Sequence, residues 1–428
     1  MDLPDRPHFK PTKDKPRLAA IEILKYIGPG LLVTVGFIDP GNWAANLSAG
    51  STFGYSLLWV ITLGTFLLVL LQHNAAHLGI ATGCCVSEAA TIYLPRRVSL
   101  PILASAVAAA VSTALAEILG AAIALQMLTR MPLYLGVPLS CAFVLFMIFS
   151  NSYRRLERWI IGFVSLIGIG FIYELALVPV DWASAARGAF IPDLPKGSLF
   201  LVMSLLGSVV MPHNLYLHSE IIQSRQWNLE GGDKVRSRLR FEFLDTLLSM
   251  GIGWAINSAI IVLAASTFFA HGTIVDQLPE AERLLEPLIG GGSKLIFAFA
   301  LLLAGLASSI TAGMAGGAIF TGIFGECYDP EDKHTRIGVA ITLVGASIVA
   351  LVAPDPFQAL VLSQLALSVQ LPFTIFTQIA LTSSRRVMGE YVNKRSTTVL
   401  LLGAGVLVSA LNLLLFVSVL FPGMTKGL

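Results

Sequence analysis

Charge is what this sequence has least of. Only 13% of its 428 residues are Asp, Glu, Lys or Arg, against roughly 25% in an ordinary soluble domain. Hydrophobic residues make up 55%. So little charge excludes a soluble globular chain and points to an all-α polytopic membrane protein. Cysteine is also sparse: Cys84, Cys85, Cys141 and Cys327 are the whole set. They form no CxxC pair, so neither a disulfide framework nor a zinc knuckle is expected. Cys84 and Cys85 fall near a helix end and read as small packing residues. Twenty-eight basic residues stand against 26 acidic ones, a net charge of +2, which gives no footprint for a nucleic-acid partner. The polar, Pro- and Lys-rich stretch Met1–Arg17 does not have the pattern of a signal peptide. A Ser/His/Asp nucleophile set, a phosphate loop and a sizeable soluble domain are all missing, so the chain does not read as an enzyme or a receptor.

Apolar runs of about 18 residues or more are what remains, and each marks a spanning helix. The sequence predicts eleven, near 24–47, 55–80, 100–127, 133–150, 158–178, 199–222, 242–268, 293–323, 337–353, 357–382 and 397–420. The loops Val180–Ser198 and Phe269–Ser293 read as simple connectors. Lys and Arg placement sets the orientation. With the N-terminus in the cytoplasm, only Arg130, Arg187, Lys196, Arg283, Lys294 and Lys426 lie outside, leaving 22 of the 28 basic residues inside. An odd number of spans then puts the C-terminus outside. The expected location is the plasma membrane, with the lipid bilayer as the surrounding partner.

Within span one, Phe37-Ile38-Asp39-Pro40-Gly41-Asn42 breaks the apolar run. A charge at the bilayer centre costs roughly 2.5–3.5 kcal/mol on insertion scales, so it is rare and faces the protein interior. Pro40 removes a backbone donor and Gly41 loosens the chain. The helix is expected to open beside Asp39, and open backbone at that depth must be buried or line a cavity. Span six carries a second break, Val210-Met211-Pro212-His213-Asn214, offset by 172 residues from the first. Both place a possible ligand before a proline and an asparagine two residues after it. Span one runs outward and span six inward, so the two halves are inverted repeats. Paired interruptions in inverted halves are the best sequence pointer to a transporter's substrate site. The chain accordingly divides into a tail at 1–23, a first five-helix repeat at 24–195, a second inverted one at 196–383, and an eleventh helix with the C-terminus at 384–428.

The donor types narrow the substrate. Asp39 offers a charged oxygen and Asn42 a neutral one. Met211 offers a thioether. Magnesium and calcium sites are built from oxygens, whereas sulfur biases a site toward softer transition metals. A carbonyl near Ser208, one turn before Met211, adds a further oxygen. The mixed set suits Mn²⁺ or Fe²⁺ and admits Cd²⁺. Asn42 has a second reading as a helix cap, and Met211 one as core filler.

These residues resemble the NRAMP family of divalent-metal transporters. Asp39-Pro40-Gly41-Asn42 and Met211-Pro212-His213 carry the likeness, with Gly54-Tyr55-Ser56-Leu57-Leu58-Trp59, Ala116-Glu117-Ile118-Leu119-Gly120-Ala121-Ala122 and Leu215-Tyr216-Leu217-His218-Ser219 in support. It covers roughly residues 24–420. The resemblance implies eleven spans in the leucine-transporter-type fold, with helices one and six broken. It implies side-chain coordination by Asp39, Asn42 and Met211, a backbone carbonyl from Ser208, and Gln364 of span ten joining when the site is occluded. It also implies proton-coupled import, with H⁺ as the coupling ion and no resident cofactor. His213, Glu117 and Arg225 are the candidate proton pathway. One departure stands out: acidic residues usual in span three are replaced by Val107 and Ala114. Span nine offers only Arg336 where the resemblance leads one to expect arginine in the same network.

Other polar residues have two readings each. His213 suits a proton relay or a hydrogen-bonded structural role. Glu117 pairs with Arg225 as a strut or carries protons. Gln364 and Asn257 read as interhelical hydrogen-bonding groups, with ligation open for Gln364. His73, Asn74 and His77 look like a metal cluster, and His73 and His77 share a helix face, but no carboxylate accompanies them, so they read as packing or vestibule lining. The Gly- and Ser-rich run Ala304–Gly317 reads as close helix packing. The expected function is a secondary importer of Mn²⁺ or Fe²⁺, the divalent ion being its partner and a monomer its simplest state. The rivals are an uncoupled carrier, perhaps for Mg²⁺, and a sodium-coupled amino-acid transporter, whose substrate carboxylate Asp39 would repel.

Overall fold

A computed structural model of the chain describes residues 38–150, 175–224, 232–275 and 293–420, with short runs at 34, 36, 162, 165–170, 172–173 and 278. Among the described residues nine helices are long and apolar enough to cross a membrane. The beginning of span one and parts of span five lie outside the described residues, as does Arg225. The other nine predicted spans each match a helix to within a few residues at most ends. The predicted 337–353 run grows at its start, to Lys333–Val352.

The first helix, α1, is Pro40–Phe53. Asp39 caps it in an extended conformation, its Oδ1 accepting the Asn42 N–H at 2.5 Å. Pro40 at the first helical position is pre-set for the turn and has no donor to waste. Helix α2, Leu58–Thr82, ends on Gly83 at φ +67°, a left-handed cap that suits glycine. A short α3, Val86–Tyr93, leads to α4, Arg96–Thr129, and α5, Leu133–Ser150. The loop expected to be a plain connector holds α6, Trp182–Phe190. Asp181 caps it, and the Ser184 hydroxyl and backbone hydrogen bonds hold its carboxyl below the usual range. The same loop is tied over α2, where Trp59 Nε1 donates to the Asp193 carbonyl at 2.8 Å.

Span six is two helices, α7, Leu199–Val209, and α8, Pro212–Ser224. Then come α9, Gly232–Thr267, α10, Ser293–Gly322, α11, Lys333–Val352, and α12, Pro356–Thr382. A short α13, Arg385–Met388, precedes α14, Arg395–Leu420. Helix α9 has 36 residues, which at about 1.5 Å per residue exceeds the roughly 30 Å hydrocarbon core. Its first turns therefore stand outside the core and carry Arg236, Arg238 and Arg240. That is why it begins earlier than its apolar run.

The interrupted helices sit at the centre. Leu199–Ser224 is almost entirely buried, whereas α5 and α14 are largely exposed on the outside of the bundle. Helix α1 packs on α9, α12 and α7. Helix α10 lies along α4 and α11 through small residues. A Cβ at Gly305 would fall 2.7 Å from Ala121 N and 2.8 Å from the Glu117 carbonyl. The Ala304–Gly317 run is thus a packing surface, as expected. Asn257 likewise pairs between helices, accepting from Asn46 Nδ2 at 2.6 Å.

Candidate metal site

Both interruptions form where the prolines dictate. Helix α7 stops at Val209, and Val210 leaves helical geometry at φ −102°, ψ 71°. Pro212 has no N–H to offer the Ser208 carbonyl one turn back, and Pro40 has none for the Gly36 carbonyl. Each break therefore leaves a carbonyl that its helix cannot satisfy. The C-terminal end of α7 also carries the negative end of a helix dipole, which favours a cation.

Gln364 of α12 joins the two breaks. A Cβ added at Gly41 would run into the Gln364 side chain, and one at Gly207 into its backbone carbonyl. The α1 start and the α7 end thus touch one residue from opposite sides. Met211 is 1% exposed and packs against Leu367, one turn along α12, and Ala109 of α4. Gly36 abuts the Asn214 side chain. Pro40 packs on Gly120 of α4, and Ala116 lies 3.1 Å from the Cβ position of Gly41. All five sequence-predicted ligand residues, Asp39, Asn42, Ser208, Met211 and Gln364, are buried at this junction.

Several polar atoms here are left without partners. Among the described residues neither Asp39 Oδ2 nor Gln364 Oε1 has a hydrogen bond, although both are buried. A buried polar atom left so costs about 1–3 kcal/mol, and a cation would repay several at once. Gln364 Nε2 donates to Ser363 Oγ at 3.3 Å, which leaves its oxygen free. The Ser208 hydroxyl donates back to the Leu205 carbonyl at 2.8 Å, so the side chain is bound to its own helix and the carbonyl is what Ser208 offers the site. Asn214 Nδ2 donates to Met211 Sδ at 3.3 Å and fixes the thioether. Asn214 was not among the expected site residues. The 172-residue offset that pairs it with Asn42 is the signal that finds it.

Close to this junction lie further titratable groups. Glu117 is fully buried, Oε1 accepting from Thr113 Oγ1 at 3.3 Å and Oε2 without a partner among the described residues. It stands within electrostatic reach of Asp39. His213 is buried, and among the described residues neither ring nitrogen has a hydrogen-bond partner. Arg336 is exposed at the head of α11, Nε donating to the Pro330 carbonyl at 2.9 Å, and does not belong to a buried network.

The reading of His73 and His77 needs correction. A carboxylate does accompany them, from a distant part of the chain. Glu242 of α9 meets His73 Nδ1 at 2.5 Å through Oε2, and its Oε1 lies 3.7 Å from His218 Nε2. His218 Nδ1 is 2.6 Å from Gln72 Oε1. Sequence spacing cannot show this, because 169 residues separate His73 from Glu242. Among the described residues, Glu326, Asp332 and His334 also gather within 4.8 Å. Asp332 there is the α11 cap, and its carboxyl, although burial pushes it up, is held low by the Thr335, His334 and Lys333 N–H groups.

The tight contact at Gly207 predicts a specific cost. Gly207→Ala would force a methyl onto the backbone of Gln364 and Ser368, and overpacking of this kind costs about 1–3 kcal/mol. Gly251→Ala in α9 meets nothing within 4 Å and removes glycine's helix penalty, about 1 kcal/mol. Thermal unfolding in detergent should lower the midpoint for Gly207→Ala and hold or raise it for Gly251→Ala. Equal midpoints would mean that the α7–α12 contact is slack.

A family model described as natural resistance-associated macrophage protein-like matches residues 30–418. Divalent metal cation transporter MntH 1 of Pseudomonas aeruginosa is 38% identical over 399 residues, 91% of this chain and 90% of that protein. Divalent metal cation transporter MntH of Ralstonia nicotianae is 37% identical over 410 residues, covering 93% of this chain and 92% of its own. Among solved structures, a manganese transporter of Eremococcus coleocola superposes with a TM-score of 0.76 at 27% identity, over 94% of this chain and 89% of that one. Mhp1, a nucleobase-cation-symport-1 family transporter, superposes at 0.63 with 16% identity, over 92% of this chain and 94% of that one, a likeness of fold alone. The fold is of the leucine-transporter type.

Proposed function

The chain belongs to the natural resistance-associated macrophage protein-like (NRAMP) family, and from that premise we propose that it imports divalent transition-metal ions, Mn²⁺ or Fe²⁺ and also Cd²⁺, by alternating access. The substrate binds where the breaks of α1 and of α7–α8 meet. Asp39 supplies the charged oxygen, Asn42 a neutral one and Met211 the thioether. The Ser208 carbonyl, freed by Pro212, and Gln364 Oε1 complete the set. The observation that carries this reading is the shared contact of Gly41 and Gly207 with Gln364. It supports a single site built from both breaks and one side chain of α12. The named activity of the relatives, divalent metal cation transport, supports the same substrate class. The N-terminus lies in the cytoplasm on this reading, and each half of the chain contributes one break.

Proton coupling is part of the proposal. Glu117 beside Asp39, with buried His213 one residue from the α8 start, gives titratable groups next to the metal. Arg225 is the expected partner at their inner end. A second reading, an uncoupled carrier, is favoured by Val107 and Ala114, apolar side chains in α4 where acids would extend the path. Sealed proteoliposomes with an internal pH dye distinguish the two. Under a Mn²⁺ gradient and a negative inside potential, Mn²⁺ entry should come with acidification. Entry without acidification selects the uncoupled carrier. Absence of entry in folded protein overturns the transition-metal reading.

A further inference from the structure

Inward of the metal site, one buried carboxylate is surrounded by histidines. Glu242 of α9 meets His73 Nδ1 of α2 through Oε2 and faces His218 Nε2 of α8 through Oε1. Thr246 Oγ1, one turn along α9, donates to Oε1 at 2.7 Å. His77 lies nearly parallel to His73, with ring centroids 6.4 Å apart, and Asn393 Oδ1 holds its Nδ1 at 3.1 Å. On α9 itself, Arg238 and Asp245 stand one turn before and one turn after Glu242. Among the described residues, neither a Lys nor an Arg makes an ion pair with Glu242, and its charged partners are the two histidines.

The choice of partner matters. A carboxylate kept out of water needs a counter-charge. Lys or Arg would supply a permanent one and make a strut. Histidine supplies one only while it holds a proton. The charge at this place is therefore set by how many protons the group carries. His218 shows which nitrogen takes part. Its Nδ1 lies 2.6 Å from Gln72 Oε1, an oxygen that can only accept. Nδ1 therefore carries the fixed hydrogen, and Nε2, 3.7 Å from Glu242, is the nitrogen that titrates. Exposure rises along the group. The side chains of His218 and Glu242 are 0% and 1% exposed, whereas that of His73 is 32% exposed. His218 lies six residues past Pro212, about 9 Å along α8 from the break. The group thus leads from the metal side toward solvent. Helix α4 offers no such path, because it has no titratable residue between Arg97 and Glu117.

We propose that Glu242 is a proton-carrying site between the metal site and the inner solution, with His73 as its outlet. A proton on His218 Nε2 passes to a Glu242 oxygen: the N–H bond breaks, an O–H bond forms, and His218 becomes neutral. The O–H bond then breaks as an N–H bond forms at His73 Nδ1. His73, now charged and half-buried, gives one proton to water. One proton enters the group and one leaves it. Each transfer runs between groups on different helices, α8 to α9 and α9 to α2, so the three helices must keep their packing for the path to exist. This role rests on the proton-coupling reading above and adds the segment of the route that α4 does not supply.

The test uses full-length protein in sealed proteoliposomes, with the parent, Glu242→Gln, His73→Gln and Glu326→Gln side by side. Glu242→Gln keeps an oxygen for Thr246 and removes the carrier. It should cut Mn²⁺-driven acidification about tenfold or more, as loss of a proton-transferring group does. Mn²⁺ should still raise its unfolding midpoint, because the metal site is untouched. His73→Gln should cut acidification as well. Glu326→Gln breaks a different histidine–carboxylate pair, Glu326 with His334, and should match the parent. Infrared difference spectra across pH, without Mn²⁺, read the group directly. The parent should gain a carboxyl C=O band on acidification that Glu242→Gln lacks and whose midpoint His73→Gln shifts. Undiminished acidification by Glu242→Gln overturns the role. So does lost acidification with no Glu242 band in the parent, which makes the group a strut. If Glu242→Gln does not fold, His73→Gln decides, and unchanged acidification there overturns the outlet. Mn²⁺ entry without acidification in the parent itself fells the coupling reading and this route with it, a signature distinct from failure of the variants alone.

Discussion

Asp39→Asn leaves the protein folded and stops transport. Mn²⁺ uptake into proteoliposomes falls at least about 100-fold, equivalent to ~2.7 kcal/mol of lost binding. That is within the range for truncating a buried charged partner. The asparagine still presents an oxygen to the Asn42 N–H, so the α1 cap that Asp39 makes at 2.5 Å is preserved. The buried carboxylate whose Oδ2 finds no partner among the described residues is what disappears. Such a group is costly to keep at membrane depth, so a purely structural account predicts equal or better stability with transport intact. The two accounts also differ in thermal unfolding. A site residue makes stability depend on the ion, by about 2.7 kcal/mol at a metal concentration 100 times Kd. Mn²⁺ should raise the unfolding midpoint of the parent protein and leave that of Asp39→Asn unmoved. Undiminished uptake by Asp39→Asn would sink the site.

How much of this was legible beforehand follows from range. The breaks are local: Pro40 and Pro212 each delete a donor, and nothing elsewhere in the chain can restore it. Their offset made the second break findable from the first. Gln364 was named through resemblance. What gives it physical meaning is the glycine on either side, Gly41 and Gly207, and only the folded chain brings those two together. The His73–Glu242–His218 group is invisible in sequence for the same reason. No periodicity carries information across the 169 residues between His73 and Glu242. Cys85 reads only as a small packing residue, because Gln223, whose Oε1 accepts from its N–H, lies 138 residues further along the chain. Helix α6 was passed over because nine residues are too few to register as a span, although Asp181 at its head is a recognisable cap. Local chemistry was readable, then, and assembly across the inverted halves was not.

Met211 carries the second large effect, which concerns selectivity rather than rate. Truncation to alanine confuses two roles, because Met211 is buried against Ala109 and Leu367 and a Met-to-Ala cavity costs about 2–5 kcal/mol by itself. Met211→Leu keeps the volume and should cost less than about 1.5 kcal/mol. It removes the sulfur and little else, apart from the Asn214 Nδ2 bond that now holds the thioether. Cd²⁺ is the softest of the candidate substrates, so its uptake should fall about tenfold or more, or ~1.4 kcal/mol. Mn²⁺ uptake should fall less. Ca²⁺ and Mg²⁺, which bind through oxygen alone, should become competitors that they are not in the parent protein. Cd²⁺ and Mn²⁺ uptake measured side by side, with Ca²⁺ or Mg²⁺ added to each, gives the comparison. If both fall together with no gain in Ca²⁺ or Mg²⁺ competition, Met211 is packing and the site is an oxygen site. If Cd²⁺ alone collapses, the thioether is the element that separates transition metals from the far more abundant hard ions. The break in span six would then serve to place that sulfur where a continuous helix could not.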